Sequence, residues 1–362
     1  ALVGAPWLLT LYFIHQYGLR FVVVEGTGVG ESIKAATRFL HGRIALQLHG
    51  QVDDGTGGSG FSECNEDNQE CCATFSQFCN APPAVQLRGV TKHFGKVIAV
   101  HEIDLDIPDG SLTTLLGPSG CGKTTILRMI AGLEKPTQGD IFIKGQRIND
   151  TPIHKRNLGM IFQNYALFPH KTIFDNVAFG LKYRNITKAD IKTKVKQALE
   201  TVRLPGVEMR KPSQLSGGQQ QRIALARAIV IEPDVLLMDE PLSALDENLR
   251  EEMRVEVSNL QEMLGITSIF VTHDQREALT MSDSIVVMKD GRKQQEGPPE
   301  EVYDTPSSHF VADFIGHSNF IKGQIKQIDT GQVRIELDDG FELNVTQSGD
   351  WREGQRVEVV IR

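Results

Sequence analysis

The sequence predicts an α/β fold: a P-loop core with an antiparallel β edge and a helical subdomain, followed by a small β domain. Three observations predict it. From residue 84 onward, short apolar runs of strand character alternate with helical patterns, which argues for a largely parallel sheet. The glycine-rich stretch "GPSGCGKTT" at 117–125 sits between one such strand and one such helix. After about residue 317 only strand-like alternation remains.

Taken in order, "AVQLRG" (84–89) and "VIAVHEIDL" (97–105) read as antiparallel strands. "SLTTLLG" (111–117) is an apolar, β-branched run ending in glycine, the mark of a buried strand. "KTTILRMIAGL" reads as a helix and "DIFIKG" as another strand. Residues 165–215 are rich in helix signals, as in "KADIKTKVKQALETV". "DVLLMDE" and "TSIFVTHD" are short apolar strands ending in acids or His. Between them Leu249, Met253, Val257, Leu260 and Leu264 recur at helical spacing. "SDSIVVMKDGRKQQEG" predicts a hairpin turning at Asp290–Gly291, and "SSHFVADFIG" a short helix. "FIKGQIKQID", "QVRIELDD", "FELNV" and "RVEVVIR" alternate like strands and form the small β domain.

Composition bounds the rest. The 362 residues are long enough for two or three domains. A formal net charge of −8 gives no sign of a nucleic-acid-binding surface. Before residue 83 no consistent element pattern is found. The apolar start "ALVGAPWLLTLYFIHQYGLRFVVV" is interrupted by His15, Gln16 and Arg20, so it falls short of the ~18–20 apolar residues of a membrane span. Cys64, Cys71, Cys72 and Cys79 are spaced C-x6-C-C-x6-C inside a Gly/Ser/Asn-rich stretch, which matches no paired-spacer zinc pattern. Either this cluster has no specific role or it forms a metal or disulfide knot. Beyond it only Cys121 remains, which suits a reducing compartment. A first residue of Ala and a last stretch running into a strand predict a fragment, or a coding sequence cut at both ends.

The chemistry concentrates in a few stretches. "GPSGCGKT" matches G-x-x-x-x-G-K-[ST] through Gly117, Gly122, Lys123 and Thr124. Glycines let the backbone N–H groups of Gly117, Pro118, Ser119, Gly120, Cys121, Gly122 and the residues following (proline excepted) curl around phosphate, at a helix N-terminus that favours anions. Lys123 reaches the β/γ-phosphates, and the Thr124 hydroxyl suits Mg²⁺. Thr125 completes the helix start. Cys121, beside that helix start, is either a thiol of lowered pKa, whose alkylation blocks nucleotide binding, or a small buried loop residue. Asp239 ends an apolar strand, where it can hold Mg²⁺ through water. Glu240 follows, placed to orient or deprotonate an attacking water. His273 ends another strand, either as a structural His or as a γ-phosphate contact. Gln163 in "GMIFQNYALFPH" is a Mg²⁺ ligand, a water-positioning group or a plain loop amide. "LSGGQQQR" (215–222) opens an amphipathic helix with a second set of free N–H groups, at Ser216, Gly217, Gly218 and Gln219.

In order, "GPSGCGKTT", Gln163, "LSGGQQQR", "DVLLMDEP", "SALD" and "VTHD" resemble the nucleotide-binding subunit of ABC transporters, over roughly residues 84–362. The resemblance implies ATP and Mg²⁺ as cofactors, with Phe94 stacking on adenine. It makes Glu240 the base for the attacking water, His273 the γ-phosphate contact and Gln163 a lever that senses metal and membrane partner. Asp246 of "SALD" would lie at a subunit interface, and Ser216–Gln219 would face the nucleotide bound by a second copy of the chain. It further implies a separate permease, an extracellular or periplasmic solute-binding protein, no nucleic acid, and a place on the cytoplasmic face of a bacterial inner membrane. One cassette followed by an OB-like β domain resembles importer ATPases, and the tail "QQEGPPEEVYDTPSSHFVADFIGHSNFIKGQI" is most similar to the spermidine/putrescine type, then the ferric-ion type. Aminoethylphosphonate and other solute importers, and a soluble ATPase with no permease, are the other readings. The expected domains are an unassigned N-terminal extension over 1–83, either artefactual, disordered or a genuine extra domain; a nucleotide-binding domain over 84–316, with its helical subdomain at about 165–220; and an OB-like regulatory domain over 317–362, cut at its end.

Overall fold

The computed structural model describes residues 83–184, 186–316, 318–329, 332–346 and 351–361. The expectations for residues 1–82, including the apolar start and Cys64, Cys71, Cys72 and Cys79, lie outside the described residues.

Strands β1 (Val85–Phe94) and β2 (Val97–Ile107) form an antiparallel hairpin. Strand β3 (Leu112–Leu116) follows and leads into helix α1 (Lys123–Ala131). Strands β4 (Gln138–Ile143) and β5 (Gln146–Arg147) return to β1, giving an antiparallel sheet of order β2-β1-β4-β5. Strand β6 (Leu158–Ile161) precedes three helices: α2 (Ile173–Val177), α3 (Lys188–Thr201) and α4 (Gly217–Ile229). Two 3-10 turns, Gly180–Tyr183 and Pro212–Gln214, interrupt this stretch, and α4 is the amphipathic helix expected to open at "LSGGQQQR", running to Ile229.

Strand β7 (Val235–Asp239), helix α5 (Glu247–Leu264), strand β8 (Thr267–Thr272) and helix α6 (Gln275–Met281) complete the strand–helix alternation. Strands β9 (Ser284–Lys289) and β10 (Arg292–Gly297) form the hairpin expected at Asp290–Gly291, where both residues have positive φ. Helices α7 (Pro299–Asp304) and α8 (His309–Phe314) follow. Last come β11 (Asn319–Asp329), β12 (Gln332–Leu337), β13 (Glu342–Thr346) and β14 (Arg356–Ile361), an antiparallel sheet of order β13-β12-β11-β14 around Ile325, Val333, Ile335 and Leu337.

The central sheet has the order β10-β9-β3-β8-β7-β6 and is parallel from β9 to β6. All five residues of β3, all five of β7 and all six of β8 are buried. The reason is that both faces are covered. Val235 and Leu237 face α1 and the antiparallel sheet, packing with Ile126, Leu127 and Ile130. Leu236 and Met238 face the opposite side, where Ile223, Ala224, Met253 and Val257 of α4 and α5 cover them. The period-2 alternation of one strand thereby serves two separate cores. In the α5 stripe, Met253, Val257 and Leu260 are buried, but Leu264 is 39% exposed. It is the last helical residue before Gly265, whose left-handed φ of 59° ends the helix beyond the core edge. Among the described residues no helix is long and apolar enough to cross a membrane.

Candidate functional site

Strands β3, β8, β7 and β6 are neighbours in that order, and their register brings their carboxyl ends level. Leu116 pairs with Thr272, Val271 with Asp239, and Met238 with Ile161. The residues that leave the sheet from these strands are Gly117, His273, Glu240 and the turn holding Gln163. The carboxyl edge of a parallel sheet is where ligands bind in such folds. Neighbouring strands lie about 4.8 Å apart, so four chemistry-bearing segments, far apart in sequence, share one edge roughly 15 Å long.

The loop from Gly117 to Gly122 is shaped by close backbone approach. A Cβ at Gly117 would sit 2.3 Å from the Met288 carbonyl oxygen. Gly122 has φ 100°, and a Cβ there would sit 2.6 Å from the Ala99 oxygen. No side chain caps α1 at Gly122, which leaves its N-terminus available to an anion. Pro118, Ser119 and Gly120 are exposed, and Gly120 adopts φ 81°. The Lys123 ammonium is buried within the loop, donating to the carbonyls of Gly117 (2.7 Å) and Pro118 (2.9 Å).

Thr124 Oγ1 donates to Asp239 Oδ1 at 2.9 Å, which joins the two residues expected to share Mg²⁺. Asp239 is buried, and that burial pushes its carboxyl pKa up, against the hydrogen bond from Thr124. Glu240 is held at φ 45°, a left-handed state unusual for a side-chain-bearing residue. Its N–H donates to Val271 O (3.0 Å), and its carbonyl accepts from Ser243 Oγ (2.9 Å). His273 Nδ1 lies 3.3 Å from Glu240 Oε2. Gln163 is exposed in the turn after β6, and Thr125 is half-buried in the first turn of α1. Phe94 is 47% exposed at the end of β1, with Lys92 Nζ 4.7 Å from its ring centroid.

Of the two readings of Cys121, the structure bears out the buried loop residue and corrects the lowered pKa. Its thiol is buried, and burial pushes its pKa up, outweighing the lowering effect of Lys123, whose Nζ is 3.7 Å from Sγ. A helix N-terminus lowers a thiol pKa only where the thiolate stays solvated or paired. Iodoacetamide at neutral pH should therefore label Cys121 at least about tenfold more slowly than an exposed thiol of ordinary pKa. Peptide-resolved mass spectrometry checks this; labelling as fast as that of a free thiol would refute it.

Ser216, Gly217, Gly218 and Gln219 form the first turn of α4. Gln219 N donates to Ser216 Oγ (3.4 Å) and Gln219 Oε1 accepts from Ser216 N (3.1 Å), a reciprocal capping box. A Cβ at Gly218 would meet Leu249 of α5 at 3.1 Å, so glycine permits close packing of the two helices. Asp246 caps α5 by accepting from Leu249 N (3.0 Å). Among the described residues, the side-chain hydrogen bonds of this turn stay inside α4, and none reaches the Gly117–Thr125 loop.

The turn that carries His273 uses residues with no motif to announce them. The hydroxyl of Thr272 donates to the buried carboxylate of Glu277 and accepts from Asp274 N (3.0 Å). Asp274 in turn caps α6 through Arg276 N and Glu277 N. Burial pushes the Glu277 pKa up. A Thr two residues before an Asp at a strand end was the available signal, because both favour local caps.

Residues 100–243 match a family model described as ABC transporter. A spermidine/putrescine import ATP-binding protein of Rubrobacter xylanophilus is 50% identical over 283 residues, covering 78% of this chain and 75% of that protein. An Fe(3+) ions import ATP-binding protein of Photobacterium profundum is 50% identical over 284 residues, covering 76% of this chain and 79% of that one. Among solved structures, an ATP-binding cassette captured as a dimer in a post-hydrolysis state with ADP and Pi is 33% identical, with a TM-score of 0.53 over 59% of this chain and 98% of its own.

Proposed function

The chain belongs to the ABC transporter family of ATP-binding subunits, and from that premise we propose that it is the ATP-hydrolysing subunit of an importer, most consistent with polyamine uptake. The observation that carries the reading is the shared edge of β3, β8, β7 and β6, with Thr124 and Asp239 joined at 2.9 Å across it. ATP is the nucleotide of this family.

In the proposed mechanism the Gly117–Thr125 loop and the α1 N-terminus cradle the phosphates, and the Lys123 ammonium exchanges its loop carbonyls for the β/γ-phosphate oxygens. Thr124 and Asp239 are hard oxygen donors side by side, a set that fits Mg²⁺, which takes few protein ligands and completes its shell with phosphates and water. When bound, Mg²⁺ would neutralise charge on the β- and γ-phosphates. Glu240 accepts the proton of the attacking water, and His273, against one carboxylate oxygen, orients Glu240 and contacts the γ-phosphate. Gln163 adjusts the metal and water from the far end of the edge, and Phe94 offers adenine a ring face.

Two copies sandwich two nucleotides, each closed by Ser216–Gln219 and Asp246 of the other copy. The dimeric state of the solved cassette supports this arrangement. A separate permease and a solute-binding protein complete the assembly. The subunit is peripheral to the membrane, and we place it on the cytoplasmic face. Residues 84–316 form the nucleotide-binding domain, with its helical subdomain near 165–220, and residues 317–362 an OB-like regulatory domain.

Ferric-ion import is the second reading, favoured by the equal identity to an Fe(3+) importer subunit. Co-expression with candidate permeases, reconstitution into vesicles and uptake of labelled spermidine or Fe(3+) decide between them. Spermidine uptake is expected, with Lys123→Ala lowering it at least about a hundredfold. Uptake of Fe(3+) alone supports the second reading; a chain that hydrolyses ATP but associates with no permease overturns both.

A further inference from the structure

Arg227 lies on α4, about three turns beyond Ser216. Its guanidinium donates from Nη1 to Ala166 O (2.7 Å) and from Nη2 to Tyr165 O (2.6 Å), and sits 6.0 Å from the Phe168 ring centroid. Burial lowers its pKa, and among the described residues no carboxylate pairs with it. Arg227 is half-buried, and two backbone carbonyls therefore carry most of the compensation for a partly desolvated cation.

Those carbonyls belong to an unusual turn. Tyr165 has φ 58° and Ala166 φ 45°, two successive side-chain-bearing residues in the left-handed region. Such a backbone persists only where its surroundings hold it. Tyr165 N donates to Phe162 O (2.8 Å), closing the turn that contains Gln163. The Tyr165 ring is buried in the core beside α4, whereas Ala166 is exposed. The turn is thus anchored below by Tyr165 and clamped above by Arg227.

We propose that Arg227 is a positioning residue that holds the Phe162–Ala166 turn in its strained state and so ties the setting of Gln163 to the helix that begins at Ser216. The inference rests on the metal- or water-positioning role proposed for Gln163. Its consequence is a coupling within one copy. Ser216 faces the nucleotide held by the other copy, Gln163 faces the copy's own nucleotide, and one rigid helix with one guanidinium links them. A shift of α4 then moves two carbonyls of the Gln163 turn with it.

The test uses the full chain and four readouts: kcat, the Mg²⁺ concentration at half-maximal hydrolysis, affinity for a fluorescent ATP analogue without metal, and thermal melting. Arg227→Met is expected to lower kcat about tenfold and raise the Mg²⁺ requirement, with metal-free nucleotide affinity unchanged. Gln163→Ala should show the same pattern. The double variant should be no worse than Gln163→Ala alone, because residues acting through one another are not additive. Ala166→Gly, which removes the left-handed strain, should restore part of the activity lost in Arg227→Met. If melting shows that Arg227→Met is unfolded, Arg227→Lys, which keeps the cation, carries the same cycle. Losses that multiply in the double variant, or no recovery with Ala166→Gly, overturn the inference. Gln163→Ala with parental kcat and Mg²⁺ requirement overturns the reading beneath it.

Discussion

Glu240→Gln is expected to leave ATP binding within about twofold of the parent while lowering hydrolysis by about 10²–10⁴-fold, the range for loss of a general base. Gln has nearly the same shape, so it fits the same turn. It meets the same left-handed φ of 45° with no gain or loss of strain, and its backbone keeps the hydrogen bonds to Val271 O and from Ser243 Oγ. What it lacks is the ability to take a proton. The phosphate contacts proposed for Lys123 and the α1 N-terminus would be untouched, so ATP should stay bound and unhydrolysed. Because nucleotide bridges two copies in the proposed dimer, the variant should also accumulate as an ATP-dependent dimer, read by light scattering with and without ATP. Parental turnover in this variant would remove Glu240 from the role of base and leave its contact with His273, at 3.3 Å, as a structural pair.

Ser216→Arg is the second large effect, and it tests whether each site is built from two molecules. The substitution removes the hydroxyl that accepts from Gln219 N and sets a cation at a helix N-terminus, where the dipole disfavours it. Loss of the cap costs about 1 kcal/mol, small beside the stability of a folded domain, so the chain should stay folded. Ser216→Ala separates the cap from the bulk and charge. Monomer ATP binding should be unchanged in Ser216→Arg, and hydrolysis at least about a hundredfold lower.

Mixing it with Glu240→Gln gives the sharper result. One site of the mixed dimer combines an intact Glu240 with an intact Ser216, and the other combines both defects. Two inactive proteins should therefore regain activity on mixing, to about half the parental rate per dimer if the sites act independently. No recovery on mixing, with mixed dimers detected, would mean that Ser216 serves its own copy's nucleotide.

Much of the fold was legible because its signals are local. A strand buried on both faces must be apolar throughout, and β3, β7 and β8 read that way. The hairpin at Asp290–Gly291 follows from turn chemistry, and the α5 stripe from helical spacing. Legibility faded between 165 and 215, where two 3-10 turns interrupt the helices, because packing rather than propensity decides short elements. At the site, Gly117, Gly122, Lys123, Thr124, Asp239 and His273 were identifiable because each lies at a strand end or helix start. Arg227 was not, since its partners are backbone carbonyls that carry no residue identity. The state of Cys121 was left open between two readings, a low pKa beside a helix start and a buried thiol, and burial decided for the second.

Outside residues 165–215, the sequence by itself determined most of the segments that become strands and helices and the residue types that end them, since periodicity, glycine and capping preferences act over a few neighbours. Only the tertiary structure decided that β3, β8, β7 and β6 stand in that order, with Thr124 reaching Asp239 and His273 reaching Glu240. Strand order, desolvation and left-handed backbone strain depend on what packs against a residue from distant parts of the chain, and no local pattern encodes that.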